Sequence, residues 1–228
     1  MYNLFMNADL PAPPVELLET YNDYLRLKHP LDALATKDPW KVGTALVLAA
    51  HCSDAAVNKA APGFFSQYPD WKSVTGKTRN DLIPFLPGIS HSGNKSDYII
   101  NWADYLEAHG GNIEPTIEAL TQVKGFGRKT AGILLFIVKG IDEAIPLDTH
   151  ALRILDRLGW FPATKNPEVR QKQLLPWTPI GRRFATFTIL TQHGRHVCGA
   201  KAAKCGECQL SAKCAFFAAQ ARAGAAPA

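Results

Sequence analysis

Five residues of this 228-residue chain are cysteines, and four of them crowd into the run "CGAKAAKCGECQLSAKC". Cys198, Cys205, Cys208 and Cys214 follow the spacing C-x6-C-x2-C-x5-C. In a chain with no sign of export, thiols this close in sequence read as metal ligands rather than as two disulfides. Four thiolates suit either a tetrahedral zinc ion or a [4Fe–4S] cluster, and spacing alone does not separate the two. Cys52 lies far away, at the end of a helical segment, and is expected to be a packed thiol.

A second chemistry-bearing run is "VKGFGRKTAG", residues 123–132. Two glycines followed by basic residues and an apolar helix suggest a phosphate cradle. The nucleotide versions fail. A Walker A loop needs glycine where Gln122 stands and lysine where Arg128 stands, and it needs a strand before it. A dinucleotide fingerprint would put its third glycine at Thr130. What is left is helix, tight turn, helix, with Gly125 and Gly127 expected at positive φ and successive N–H groups turned outward at a helix N-terminus. Such a nest holds one phosphate of a DNA strand without reading a base. A plain helix-to-helix turn with no ligand fits these residues equally well.

The elements that must position these groups read as helix after helix. "PVELLETYNDYLRLKH" spaces Val15, Leu18, Tyr21 and Leu25 along one face. "DPWKVGTALVLAAH" offers Asp38 as N-cap and Pro39 at the first helical position, and is apolar nearly all round, as a central helix must be. "SDAAVNKAAPGFFSQY" follows, then "NKSDYIINWADYLEAHGG", whose Ile99, Trp102 and Leu106 form a stripe ended by Gly110 and Gly111. A short helix opening with Pro115 leads into the glycine turn and the helix "RKTAGILLFIVKG". "DTHALRILDRLG", "NPEVRQKQLLPW" and "GRRFATFTILTQHGRHV" complete the set, and the tail "AAQARAGAAPA" is expected to fray. No alternating strand pattern competes, so the fold class is all-α. With 46% hydrophobic and 20% charged residues the composition is that of a soluble globule. The net charge of +5 favours a polyanionic partner without requiring one. No run reaches the ~20 apolar residues of a membrane span, and "MYNLFMNADLPAPP" is a poor signal peptide, so the expected location is cytoplasmic.

In this order, "LTQVKGFGRKTAG", "PLDTHALRIL" and "HGRHVCGAKAAKCGECQLSAKC", preceded by "LAAHCSDAAVNKA", resemble the endonuclease III family of helix–hairpin–helix DNA glycosylases. The resemblance covers most of residues 38–214. It implies an all-α helix–hairpin–helix glycosylase fold of two helical subdomains with the active-site cleft between them. Residues 1–37 would belong to the cluster-side subdomain. Residues 38–140 would form the other, ending in a hairpin motif over about 114–138. Residues 141–214 would return to the cluster side with an iron–sulfur loop at 198–214, and 215–228 would be a flexible tail.

The activity implied is that of a base-excision-repair DNA glycosylase with associated AP lyase (β-elimination) activity, removing damaged bases, oxidised pyrimidines foremost, from duplex DNA. A [4Fe–4S] cluster on Cys198, Cys205, Cys208 and Cys214 is implied as a structural staple, with zinc the alternative. The expected partner is double-stranded DNA with a damaged base or abasic site, bound by a monomer at the nucleoid, with no membrane involved.

Residue types agree with that chemistry. The target base must leave the stack before its glycosidic bond can be reached. Lys129 matches the family's catalytic lysine: its amine would attack C1′, expel the base and leave a Schiff base, after which β-elimination of the 3′ phosphate nicks the strand. The helix N-terminus beside it is electropositive and would favour the free amine. Asp148 in "LDTH" matches the family's essential aspartate, suited to activating Lys129 and stabilising cationic sugar, and it is also a natural N-cap. The hairpin residues Gly125, Gly127, Arg128 and Thr130 would hold the strand, with Arg195, Lys201 and Lys204 as phosphate partners beside the cysteine loop.

Two positions depart from the family pattern. His51 stands where a gap-filling glutamine is common, and His91 with Ser92 stands where an apolar wedge faces the opposite strand. Both histidines are expected to contact DNA. A monofunctional glycosylase for alkylated purines and a non-catalytic DNA-structure-binding protein are the competing readings. Adenine-specific relatives with an added C-terminal domain are a poor fit, since none follows Cys214.

Overall fold

Asp38 and Pro39 start the first helix for reasons of residue type. The Asp38 carboxylate accepts the Trp40 N–H at 2.9 Å, and Pro39 gives up no hydrogen bond because a first-turn N–H has no helical partner. The computed structural model describes residues 36–224. The helix expected over "PVELLETYNDYLRLKH" lies outside these residues, as does the end of the tail, 225–228. The described residues fall into two units, 36–141 and 142–224. Both are helical, with no strand among the described residues beyond an isolated bridge between Cys198 and Ala203. No described helix is long and apolar enough to cross a membrane.

In the first unit α1 spans Pro39–Ala49 and α2 spans Asp54–Gln67, the latter capped by the Ser53 hydroxyl. A 3₁₀ turn at Trp71–Val74 leads to the one-turn α3, Arg79–Leu82, which runs into a second 3₁₀ turn. Then come α4 (Ser92–Ala108), α5 (Ile117–Leu120) and α6 (Arg128–Lys139). The short helix begins later than Pro115: the Thr116 hydroxyl accepts the Ala119 N–H at 3.2 Å, and this cap fixes the start at Ile117.

The core of this unit is built on Trp40, Leu48, Phe64, Trp102, Leu106, Leu120 and Leu134, all fully buried. At Gly43 a Cβ would come within 2.5 Å of the Trp102 ring, so α1 and α4 approach at the only residue type that fits. Trp102 in turn takes Phe126 at a centroid distance of 4.8 Å. Burial of Phe126, the residue between the two hairpin glycines, is worth roughly 2–3 kcal/mol and ties the turn to the core.

In the second unit α7 spans Thr149–Leu158, α8 spans Pro167–Leu174, α9 spans Arg183–His196 and α10 spans Ala215–Arg222. Ala151, Ile154, Leu155 and Leu158 line the buried face of α7, which packs on α9, itself buried from Thr186 to Gly194. The buried Asp142 caps α9 from a distance, accepting the N–H groups of Arg183 (2.9 Å) and Phe184 (2.7 Å). Arg170 is fully buried and is neutralised by Asp156, with Gln173 as a further acceptor. The tail was expected to fray from residue 215, yet its first eight residues are helical. Alanine is the strongest helix former, and Phe216 anchors the helix under the Arg157 guanidinium at 4.6 Å.

Candidate functional site

The glycine turn joins α5 to α6, and its two glycines do different things. Gly125 has φ +99, and a Cβ there would lie 2.4 Å from the Tyr98 ring, so both backbone and space demand glycine. Gly127 does not take the positive φ expected of it. It is extended (φ −94, ψ 173) and is the N-cap of α6 without a side-chain cap. Nothing lies within 4 Å of where its Cβ would be. A side chain at 127 would therefore clash with no protein atom, but it would stand over the uncapped N-terminal turn of a twelve-residue helix. That is the arrangement that receives an anion.

Lys129 is exposed in this first turn of α6. Arg128 next to it is committed within the protein, its guanidinium bridging back to Glu118 of α5 at 3.1 Å and closing the hairpin. Both partners are exposed, so water and salt screen the pair and it contributes little to stability.

Thr130 and Gly125 line an open pocket of about 290 Å³, together with His51, His91, Lys95 and Tyr98. The two histidines share a backbone state unusual for residues with side chains, φ +53 and +57. Each ends or begins a helix: His51 follows α1 and His91 is the N-cap of α4. The structure thus brings four of the expected DNA-contacting residues, Gly125, Thr130, His51 and His91, around one space. Cys52 is not the packed thiol expected. It is half-buried, and its sulfur accepts the Ser90 N–H at 3.2 Å.

Asp148 belongs to the second unit and both of its carboxylate oxygens are engaged. Oδ1 accepts the Ala151 N–H at 2.8 Å, which makes Asp148 the N-cap of α7, and Oδ2 accepts the Thr191 hydroxyl at 3.1 Å. Thr191 is buried on α9. Sequence reading missed it because its partner lies 43 residues away. Nothing local distinguishes it from Thr186 and Thr188, which are buried on the same helix.

The four C-terminal cysteines line one cavity, with Arg157, His193 and Phe216 among its other walls. Two arginines of α7 wrap the loop that carries them. Arg153 donates to the carbonyls of Gly194 (2.8 Å) and Cys198 (3.0 Å), and Arg157 to Gly199 (2.7 Å) and to the Cys198 sulfur (3.2 Å). Gly199 is required here, since a Cβ would fall 2.4 Å from the Ala202 carbonyl oxygen. Burial raises the Cys205 thiol, and the neighbouring charges of Cys198 and Cys214 raise it further, so these sulfurs crowd one another electrostatically. Among the described residues no three donors converge on one point as ligands of a single ion would; the sulfurs surround a space instead. His193 touches the Cys208 sulfur at 3.7 Å, and burial lowers its pKa to about 4, so it is neutral at physiological pH. Arg195, Lys201 and Lys204 are exposed on and beside this loop.

Residues 44–179 match the family model described as HhH-GPD superfamily base excision DNA repair protein. The chain is 31% identical to Endonuclease III of Synechocystis sp. over 185 residues, covering 80% of this chain and 83% of that one. Two solved structures share its fold. One, a non-covalent Endonuclease III–DNA complex, has a TM-score of 0.81 at 24% identity over 91% of this chain and 96% of that one. The other, a trapped Endonuclease III–DNA covalent intermediate, has a TM-score of 0.80 at 25% identity over 90% and 95%.

Proposed function

The chain belongs to the endonuclease III family of HhH-GPD base-excision repair proteins, and from that premise we propose the residues by which it works and the lesions it removes. It is a DNA glycosylase with AP lyase activity. The observation that carries the residue assignment is the uncapped, sterically open N-terminus of α6 with Lys129 in its first turn. A backbone phosphate docks on the N–H groups after Gly127, and the same turn presents the lysine amine to the sugar.

The neutral amine of Lys129 attacks C1′ of the lesion nucleotide. The C1′–N bond breaks with its electron pair going to the base, which takes up a proton as it leaves. Ring opening gives a Schiff base between Lys129 and the sugar. Loss of a C2′ proton then expels the 3′ phosphate, and water releases the enzyme. Asp148 supplies the carboxylate that stabilises positive charge on the sugar as the base departs. The hydrogen bonds from Ala151 and Thr191 fix its orientation.

Oxidised pyrimidines in duplex DNA are the proposed substrates, with His51 and His91 contacting the DNA around the extruded nucleotide. A histidine ring offers a face for stacking and an edge for hydrogen bonds, which suits a gap left in the duplex. Cys198, Cys205, Cys208 and Cys214 would hold a [4Fe–4S] cluster. Four thiols lining one cavity fit such a cluster, with zinc the alternative. Bound there, the cluster would supply no chemistry to the reaction; it would relieve the mutual repulsion of the thiolates and hold the loop that bears Lys201 and Lys204.

The test is to follow base release and strand nicking separately on a duplex carrying one oxidised pyrimidine. Wild type is expected to do both in step, Lys129→Gln neither, and Asp148→Asn to be slowed by orders of magnitude. Base release that continues without nicking in Lys129→Gln would give the glycosidic step to water and overturn the assignment.

A further inference from the structure

Lys95 has no part in the chemistry above, yet its placement is costly. It projects from α4 into the protein at 4% exposure, on the face that also carries Ile99, Trp102 and Leu106. Burying an ammonium group costs several kcal/mol unless it is well paired, and an aliphatic residue of similar volume would fill the space more cheaply. Its Nζ donates to the carbonyl of Leu48 in the last turn of α1 at 2.8 Å, and its charge acts on the neighbouring Cys52 thiol.

The Cys52 sulfur is also bonded by the Ser90 N–H. Cys52 directly follows His51, and Ser90 directly precedes His91. The Ser90 N–H to Cys52 Sγ bond joins the two turns in which the left-handed histidines sit, and the Lys95 Nζ to Leu48 O bond ties α4 to the end of α1 beside them. Left-handed backbone costs a residue with a side chain about 1–2 kcal/mol, and it persists where surrounding contacts over-determine it. Electrostatics agrees with the geometry. Burial opposes the Cys52 thiolate, but the Ser90 N–H and the Lys95 charge outweigh it and hold the thiol below its ordinary range. Burial likewise lowers Lys95, and the Cys52 sulfur offsets part of that.

We propose that Lys95 and Cys52 are positioning residues that fix His51 and His91 at the DNA-facing pocket and so set the affinity for lesion-bearing duplex. The proposal rests on the reading of those histidines as DNA contacts. A lysine that only capped α1 would need no sulfur partner, and a thiol that only filled space would need no N–H from the opposite turn.

The test is steady-state nicking of an abasic duplex by Cys52→Ala, Cys52→Ser, Lys95→Met and His51→Ala/His91→Ala, with fold confirmed by circular dichroism. Losing the Ser90 bond in Cys52→Ala should raise KM about fivefold, the equivalent of one ordinary hydrogen bond, while kcat changes less than twofold. Cys52→Ser, whose hydroxyl can accept the same N–H, should return KM to within about twofold of wild type. Lys95→Met should raise KM at least as much as Cys52→Ala, and Cys52→Ala should add nothing in the double-histidine background. A rise in KM in the double-histidine variant with none in Cys52→Ala or Lys95→Met would overturn the positioning role alone. An unchanged KM in the double-histidine variant would overturn the reading of the histidines, and the positioning role with it.

Discussion

Replacing Gly125 with alanine should destabilise the protein by about 2–5 kcal/mol, whereas the same change at Gly127 should leave stability nearly untouched and weaken DNA binding instead. The first figure has two parts. A side chain at φ +99 carries backbone strain of roughly 1–2 kcal/mol. The new Cβ would also sit 2.4 Å from Cγ and 2.6 Å from Cβ of Tyr98, near the root of that side chain, where no small rotation gives relief. Overpacking of this kind costs about 1–3 kcal/mol. At Gly127 neither part applies, because φ is −94 and the space is open. The alanine methyl would instead stand where a phosphate approaches the α6 N–H groups. Urea unfolding measures the first effect, and fluorescence anisotropy with an abasic duplex, on variants shown to be folded, measures the second. The double variant Gly125→Ala/Tyr98→Ala separates the two parts, since it removes the clash and leaves the strain. Full destabilisation in the double variant would refute the packing half of the reasoning, and unimpaired DNA binding by Gly127→Ala would refute the phosphate cradle.

Thr191→Val keeps the shape of the side chain and removes the hydroxyl from Asp148 Oδ2, so kcat for base release should fall about fivefold to tenfold with stability changed by less than about 1 kcal/mol, as read by single-turnover kinetics and urea unfolding. Arg157→Met deletes the donor to the Cys198 sulfur and to the Gly199 and Ala200 carbonyls, so purified protein should carry less iron per chain and lose its visible absorption faster in air than wild type. Because burial holds His193 at about 4 against an ordinary 6.5, the unfolded chain binds a proton that the folded chain refuses between those pH values. Stability present above pH 6.5 is therefore lost as pH falls toward 4, by roughly 3 kcal/mol in the limit. Wild type compared with His193→Gln in urea melts at pH 7.5 and 4.5 should show that extra acid sensitivity only in wild type.

Much of the fold follows from local chemistry that the sequence displays. Asp38–Pro39 and Ser53 start helices where their side chains predict, and Gly140 and Gly159 end them in left-handed conformations. The features that escaped depend on partners distant in the chain. Nothing local tells Gly125 from Gly127, because it is the ring of Tyr98 that makes one of them the conformational glycine. The left-handed state of His51 and His91 is likewise set by contacts between separate turns. Lys95 was legible in principle: it sits four residues before Ile99 on the stripe that continues through Trp102 and Leu106, a lysine in an apolar register. The tail's first residues are helical where a flexible tail was expected, because alanine-rich sequence is both low in complexity and high in helix propensity and Phe216 finds a distant partner in Arg157. At the site, spacing gave the cysteine set and the family resemblance gave the Lys129 and Asp148 candidates, but neither showed the support each receives.

The central claim is that the first turn of α6 delivers the nucleophile. Its most direct test is to treat the protein on an abasic duplex with borohydride, digest the trapped complex and locate the sugar adduct by mass spectrometry. The adduct is predicted on the peptide containing Lys129, with no trapping by Lys129→Gln. An adduct on another lysine or on the N-terminal amine, or equal trapping by Lys129→Gln, would contradict the account.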